Sequence, residues 1–128
     1  MSERTPVFTS TAPTPVGPYS QAIRTGNLLF VSGQIAIDPA TGKLVLESFD
    51  AQCRQVLENL KAVVTAGNST MGKVLKVTVF MKDLRQFEMF NQIYAEYFNE
   101  AKPARSCVEV SALPKGVDIE IEAITLID

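Results

Sequence analysis

Apolar positions change period several times along this chain, and each change marks a predicted element. Residues 20–24 and 28–32 are short strand-like runs. Thr25-Gly26-Asn27 joins them as a glycine-containing hairpin turn, and Gly33 is expected to end the second strand. Asp38-Pro39-Ala40-Thr41-Gly42 is a further turn. From residues 48–50 the spacing becomes helical. Phe49, Cys53, Val56, Leu57, Leu60, Val63 and Val64 form one apolar stripe; Gln52, Arg54, Gln55, Glu58 and Lys61 fall outside it. Gly67-Asn68 supplies the stop.

Residues 74–81 alternate, placing Leu75, Val77, Val79 and Met81 on one face and Lys76, Thr78 and Phe80 on the other. Asp83 is a candidate N-cap for a second helix, which carries Phe87, Phe90, Tyr94, Tyr97 and Phe98 on one face until Lys102-Pro103 breaks it. Residues 105–112 and 118–126 then read as neighbouring strands around Leu113-Pro114-Lys115-Gly116. Ahead of all this, Val7-Phe8-Thr9 could form a short edge strand, and Pro13, Pro15 and Pro18 stiffen the path into Tyr19.

Two helices among about six strands predict an α+β fold, a mixed sheet with both helices on one face, in a single domain spanning 1–128. In the last strand Ile119, Ile121 and Ala123 share one face while Ile124 and Leu126 occupy the other. Apolar groups on both faces imply that the side away from the helices is also covered. No further helix is available, so another subunit is the natural cover.

Composition narrows the chemistry. The chain has 128 residues, a net charge of −2 and no histidine. Ser-His-Asp and Cys-His nucleophile systems are therefore excluded, as is any zinc site built on imidazole. No phosphate-binding glycine loop is present, so nothing supports a nucleotide cofactor. Basic residues form no stripe, which argues against nucleic acid as a partner. No apolar run is long enough to span a membrane, and the N-terminus has no apolar leader core. Cys53 and Cys107 make no disulfide framework, so a reduced, cytoplasmic setting is the default expectation.

The candidate chemistry gathers near the C-terminus. Arg105, Cys107 and Glu109 alternate on one face of an extended run, and Glu120 and Glu122 share a face of the next. Whether the two sets meet depends on strand register. Arg105 suits a small carboxylate held through two parallel hydrogen bonds, and equally a structural Arg–Glu pair. Glu120 could act as a general base or hold a water, or be an exposed strand carboxylate. Cys107 reads as a nucleophile favoured by Arg105 or as a small buried residue. Tyr19 could project from its rigid segment into a site, or pack in the core or at an interface. Asn91 alone signals nothing.

Taken together, Gly17-Pro18-Tyr19-Ser20-Gln21-Ala22, Val31-Ser32-Gly33-Gln34-Ile35, Pro103-Ala104-Arg105-Ser106-Cys107-Val108-Glu109-Val110, Leu113-Pro114 and Ile119-Glu120-Ile121-Glu122-Ala123 resemble the motifs of the RidA (YjgF-type) family of reactive-intermediate deaminases along nearly the full length. The resemblance implies a chorismate-mutase-like α+β fold and a homotrimer with active-site clefts between subunits. It implies hydrolysis of enamine and imine intermediates, chiefly 2-iminopropanoate and 2-iminobutanoate, to 2-keto acids and ammonia without a cofactor or metal.

Carried over, Arg105 would clamp the substrate carboxylate and the main chain at Cys107 would contact substrate. Glu120 would position and activate the attacking water, and Tyr19 would line the cleft. Ser32, Gly33 and Asn91 match positions around the site. One departure is the short stretch 99–102, where Lys102 stands in place of an aromatic residue often found before the proline; substrate preference is expected to depend on it. A ribonuclease that inhibits translation, and a non-catalytic trimer that binds 2-keto acids or acts as a chaperone, are the alternatives.

Overall fold

The computed structural model describes residues 3–127. The expected absence of a leader touches Met1 and Ser2, which lie outside that range. The elements are β1 (Thr5–Val7), β2 (Ala22–Thr25), β3 (Leu28–Gln34), α1 (Phe49–Ala66), β4 (Val74–Met81), α2 (Phe87–Tyr97), β5 (Ala104–Glu109) and β6 (Ile119–Leu126). The strands form one six-stranded sheet in the order β1-β2-β3-β6-β4-β5. All pairings are antiparallel except β4 with β5, which are parallel and joined through α2. The expected α+β class, with both helices on one face of a mixed sheet, is what the chain adopts.

The C-terminal strands depart from expectation. β5 and β6 are not neighbours: β4 lies between them. Leaving β5, Val110 N–H donates to Met81 O; entering β6, Asp118 O accepts from Lys82 N–H. Residues 110–118 therefore pass over the end of β4. Local proximity suggested a hairpin, but β4 pairs with β6 on one side and β5 on the other, giving two ladders where a hairpin would give one.

The core lies between the helices and the sheet. Cys53, Val56, Leu57, Leu60, Val63 and Val64 of α1 are fully buried against Leu29, Val77, Val79, Met81, Ile119 and Ile121. Burying each leucine-sized side chain contributes roughly 1.5–3 kcal/mol. The Ser48 side chain caps α1 by accepting from Ala51 N–H. At the other end Asn68 adopts the left-handed conformation (φ 64°), while Gly67 has an ordinary φ. A Cβ on Gly67 would collide with the Leu29 side chain, so this glycine permits close helix–sheet packing.

Four local readings are corrected. Gln52 is buried: its amide donates to Asp118 Oδ2 at 2.8 Å and its carbonyl accepts from Asp118 N–H. Leu75 is exposed because the β4–β6 register shifts between Val74 and Lys76, returning Val74 to the core face. The first strand is Thr5–Val7, with Phe8 exposed beyond it. Asp83 caps the short turn Leu84–Gln86, which then leads into α2.

The face of the sheet away from the helices carries two facing apolar sets, Ile23 with Phe30 and Ile124, and Phe80 with Val108. Phe30 and Val108 are over two-fifths exposed. Glu120 and Glu122 stand on this same face, opposite Phe80 and Thr78.

Candidate functional site

Two groups of predicted site residues exist, and one chain does not bring them together. The first surrounds a cleft of about 480 Å³ lined by Tyr19, Ser32, Gly33 and Glu120, with Val16 and Ile35 among its apolar walls. The second, Arg105, Cys107 and Asn91, lies on the helix side of the sheet. Arg105 is in register with Val77 and, beyond it, Ala123, both core-facing. Glu120 is two strands across, three residues along, and on the opposite face, a separation of about 10 Å in each in-plane direction.

The cleft is built from the N-terminal strap and an irregular stretch of β3. Gln21 is buried and holds the strap. Its carbonyl accepts from Thr9 N–H at 2.7 Å, and its amide donates to Thr9 O at 3.0 Å and Pro13 O at 2.9 Å. Ser32 Oγ donates to Ser20 O at 2.6 Å, so this hydroxyl ties the strap to β3 and keeps only its acceptor capacity for anything else. Tyr19, half exposed, follows; Val16 N–H donates weakly to its hydroxyl at 3.4 Å.

Gly33 does not end β3. The strand runs on to Gln34 through a register shift between Val31 and Gln34. Gly33 is required by contact: a Cβ there would lie 2.8 Å from the Glu120 carboxyl carbon and closer still to Oε2. Gly33→Ala is therefore expected to push the Glu120 carboxylate out of place. Activity should fall by about 10²-fold or more, the scale of a displaced acid–base group, with little change in the far-UV circular dichroism spectrum.

Burial holds the Glu120 carboxyl above the usual carboxylate range, and the like charge of Glu122 pushes it the same way. The folded chain then binds this proton more tightly than the unfolded chain. The resulting stabilisation is complete below the unfolded pKa and is lost as pH rises through the folded one. Glu120→Gln removes the charge and keeps the shape. It is expected to raise the unfolding temperature near pH 8 and to change it little near pH 3, below the unperturbed glutamate pKa of about 4.3. An unfolding temperature equal to wild type near pH 8 would contradict this.

In the second group Arg105 Nη1 donates to Asn91 Oδ1 at 2.8 Å, and the guanidinium lies over the rings of Tyr94, Phe87 and Phe90. The structural Arg–Glu pair is not formed: none of the ion pairs among the described residues includes Arg105. Glu109 accepts from Leu84 N–H at 2.9 Å and so holds the turn before α2. Cys107 Sγ contacts Met81 Sδ at 3.5 Å. Burial pushes the Cys107 thiol up and Arg105 pulls it back only in part, so it is protonated near neutrality. Cys53 is pushed up to about 12, chiefly by burial.

Sequence reading missed Gln21, the apolar walls Val16 and Ile35, and Lys115, which joins the cleft rim from a left-handed turn (φ 56°). Gln21 was legible as the polar neighbour of the Tyr19 motif; the others became site residues only through folding. The short segment 99–102 closes on itself, Lys102 Nζ donating to Asn99 O at 2.7 Å. Among the described residues no helix is long and apolar enough to cross a membrane, and no three Cys, Asp or Glu side chains gather as a metal-binding group.

An α+β chain with two helices on a six-stranded mixed sheet, a polar-floored cleft on the open face and, on the other, an arginine held by Asn91 and ring faces, defines a recognisable class. Residues 9–127 match the family described as Endoribonuclease L-PSP, and the chain belongs to that family, also called YjgF/RutC/RidA. It is 58% identical over 118 residues to a RutC family protein of Pyrococcus horikoshii, covering 92% of this chain and 94% of that one. It is 49% identical over 123 residues to the 2-iminobutanoate/2-iminopropanoate deaminase of Salmonella typhimurium, covering 94% and 95%. The crystal structure of E. coli TdcF with bound serine superposes with a TM-score of 0.92 at 41% identity, covering 97% and 99%.

Proposed function

We propose that this protein is a cofactor-independent deaminase that hydrolyses 2-imino acids, 2-iminopropanoate and 2-iminobutanoate among them, to 2-keto acids and ammonia. It works as a homotrimer in the cytoplasm. Each cleft combines Tyr19, Ser32, Gly33 and Glu120 of one subunit with Arg105, Asn91 and Cys107 of the next. The observation that carries this reading is the placement of Arg105 and Glu120 on opposite faces of one sheet. Neither half is a complete site, and the exposed apolar positions Phe30 and Val108 on the open face favour a second copy as cover.

The name of the Salmonella relative and the serine bound by TdcF both point to small amino-acid-derived carboxylates. Arg105 holds the carboxylate, and the edge strand β5 offers unpaired main chain beside Cys107. Glu120 orients water toward the imine carbon. The water oxygen bonds to that carbon while one of its protons passes through Glu120 to the nitrogen. The remaining hydroxyl proton then passes through the same carboxylate to nitrogen as the C–N bond breaks with its electron pair going to nitrogen, and the O–H electron pair forms the keto C=O, releasing ammonia. The imine carbon is already electrophilic, so fixed geometry supplies most of what the reaction needs.

The test is a competition assay. A threonine dehydratase supplies the imine, semicarbazide traps it, and added protein is expected to lower semicarbazone yield. An unchanged yield across several parent amino acids would remove the deaminase reading. The family description also names an endoribonuclease, so purified protein should be assayed on RNA; cleavage lost in both Arg105→Ala and Glu120→Ala would favour that activity instead. A monomer in sedimentation at micromolar concentration would rule out the shared cleft.

A further inference from the structure

We propose that Phe87, Asn91 and Tyr94 of α2 form a cradle that positions the Arg105 guanidinium and makes the site selective for a planar carboxylate. This rests on the reading of Arg105 as the substrate clamp. Residues 87, 90, 91 and 94 follow the i, i+3, i+4, i+7 spacing that lines one helical face. Arg105 projects from β5 onto that face. Its Cζ lies 4.8 Å from the Tyr94 ring centroid, 5.4 Å from Phe87 and 5.7 Å from Phe90, all within cation–π range. Tyr94 in turn packs against Phe90 at 5.3 Å and Phe98 at 4.6 Å, so its ring cannot swing freely.

The unused guanidinium donors give the selectivity. A guanidinium carries five N–H donors, and ring faces use none of them. Asn91 Oδ1 takes one from Nη1, which fixes rotation about the side-chain axis. No carboxylate among the described residues forms an ion pair with Arg105. An edge with two parallel donors therefore stays available, in the arrangement a carboxylate matches. The rings contribute by holding the guanidinium plane. The Tyr94 hydroxyl is buried without a hydrogen-bond partner among the described residues, so the cradle uses the ring and does not need the oxygen.

Four variants test this: Asn91→Asp, Phe87→Leu, Tyr94→Phe and Tyr94→Leu, each checked for wild-type thermal unfolding and sedimentation. The readouts are KM and kcat for imine hydrolysis and calorimetric binding of 2-oxobutanoate against 2-oxobutanamide. Phe87→Leu is expected to raise KM about 3- to 30-fold with kcat nearly unchanged, matching the loss of one ring contact. Tyr94→Phe should behave as wild type, and Tyr94→Leu as Phe87→Leu. Asn91→Asp is the sharpest arm. It preserves shape but places an internal carboxylate on Arg105, so 2-oxobutanoate binding should be lost.

Wild-type binding in both Asn91→Asp and Phe87→Leu would overturn the cradle while the deaminase reading stood. Equal losses in Tyr94→Phe and Tyr94→Leu would overturn it too, by showing that the hydroxyl is what matters. Wild-type protein that binds 2-oxobutanoate but hydrolyses no imine would end the deaminase reading, with lost binding in the variants still supporting the cradle. Wild-type protein that binds no carboxylate would overturn the cradle.

Discussion

Arg105→Ala is expected to abolish imine hydrolysis while leaving fold and assembly unchanged. Two charge-assisted hydrogen bonds to a carboxylate contribute roughly 1.5–3 kcal/mol each, so their joint loss corresponds to about 10²–10⁴-fold in kcat/KM. Arg105 sits on the edge strand β5 and makes no ion pair among the described residues, so its removal strands no internal carboxylate. The variant does leave Asn91 Oδ1 without its donor, but Asn91 is only partly buried and water can replace the bond. Arg105→Lys should be nearly as impaired, because an ammonium on a flexible stem cannot present the planar fork. Turnover within a few-fold of wild type in Arg105→Ala would remove the clamp from the proposed mechanism.

Mixing two inactive variants should restore activity. If each cleft takes Arg105 from one subunit and Glu120 from its neighbour, Arg105→Ala and Glu120→Ala protomers fail alone for complementary reasons. Unfolded together and refolded at equal amounts, they assemble at random. A given cleft is then intact when its arginine comes from a Glu120→Ala chain and its glutamate from an Arg105→Ala chain. That combination occupies about one quarter of the sites in a cyclic assembly. Recovery toward a quarter of wild-type activity, from nearly none in either variant, is the expected result. No recovery in mixed assemblies confirmed by mass spectrometry would mean that both residues serve one cleft from the same chain. Their placement on opposite sheet faces, with Arg105 level with Val77 and Glu120 level with Phe80, argues against that.

Much of the fold was readable because it rests on local pattern. The α1 stripe from Cys53 to Val64, the turn Gly26-Asn27 and the alternation of Val77, Val79 and Met81 each follow from a period of apolar residues or from turn chemistry. Reading failed where a residue answers to a partner far along the chain. Gln52 is polar yet buried because Asp118 satisfies both ends of its amide. Leu75 leaves the core because a bulge, invisible to strict alternation, shifts β4 against β6. Gly33 looked like a strand end, but it is there because the Glu120 carboxylate fills the space of a Cβ. Gly67-Asn68 does end α1, with Asn68 in the left-handed conformation, but that Gly67 also makes room for Leu29 was not visible in the sequence.

The candidate site divides in the same way. Arg105, Glu120, Tyr19, Ser32 and Gly33 were legible from motif and residue chemistry, since a fork-shaped cation and isolated carboxylates keep their capabilities wherever they lie. Their grouping was not legible. Sequence alone determined the element types, the core-facing apolar stripe of α1 and the exclusion of imidazole chemistry, because these depend on residue identity and short-range period. Only the tertiary structure decided that β4 separates β5 from β6, and that the register of both ladders puts Arg105 and Glu120 on opposite faces. Strand order is set by which long-range ladders satisfy the most backbone and bury the most apolar surface together, and no local stretch of chain carries that information.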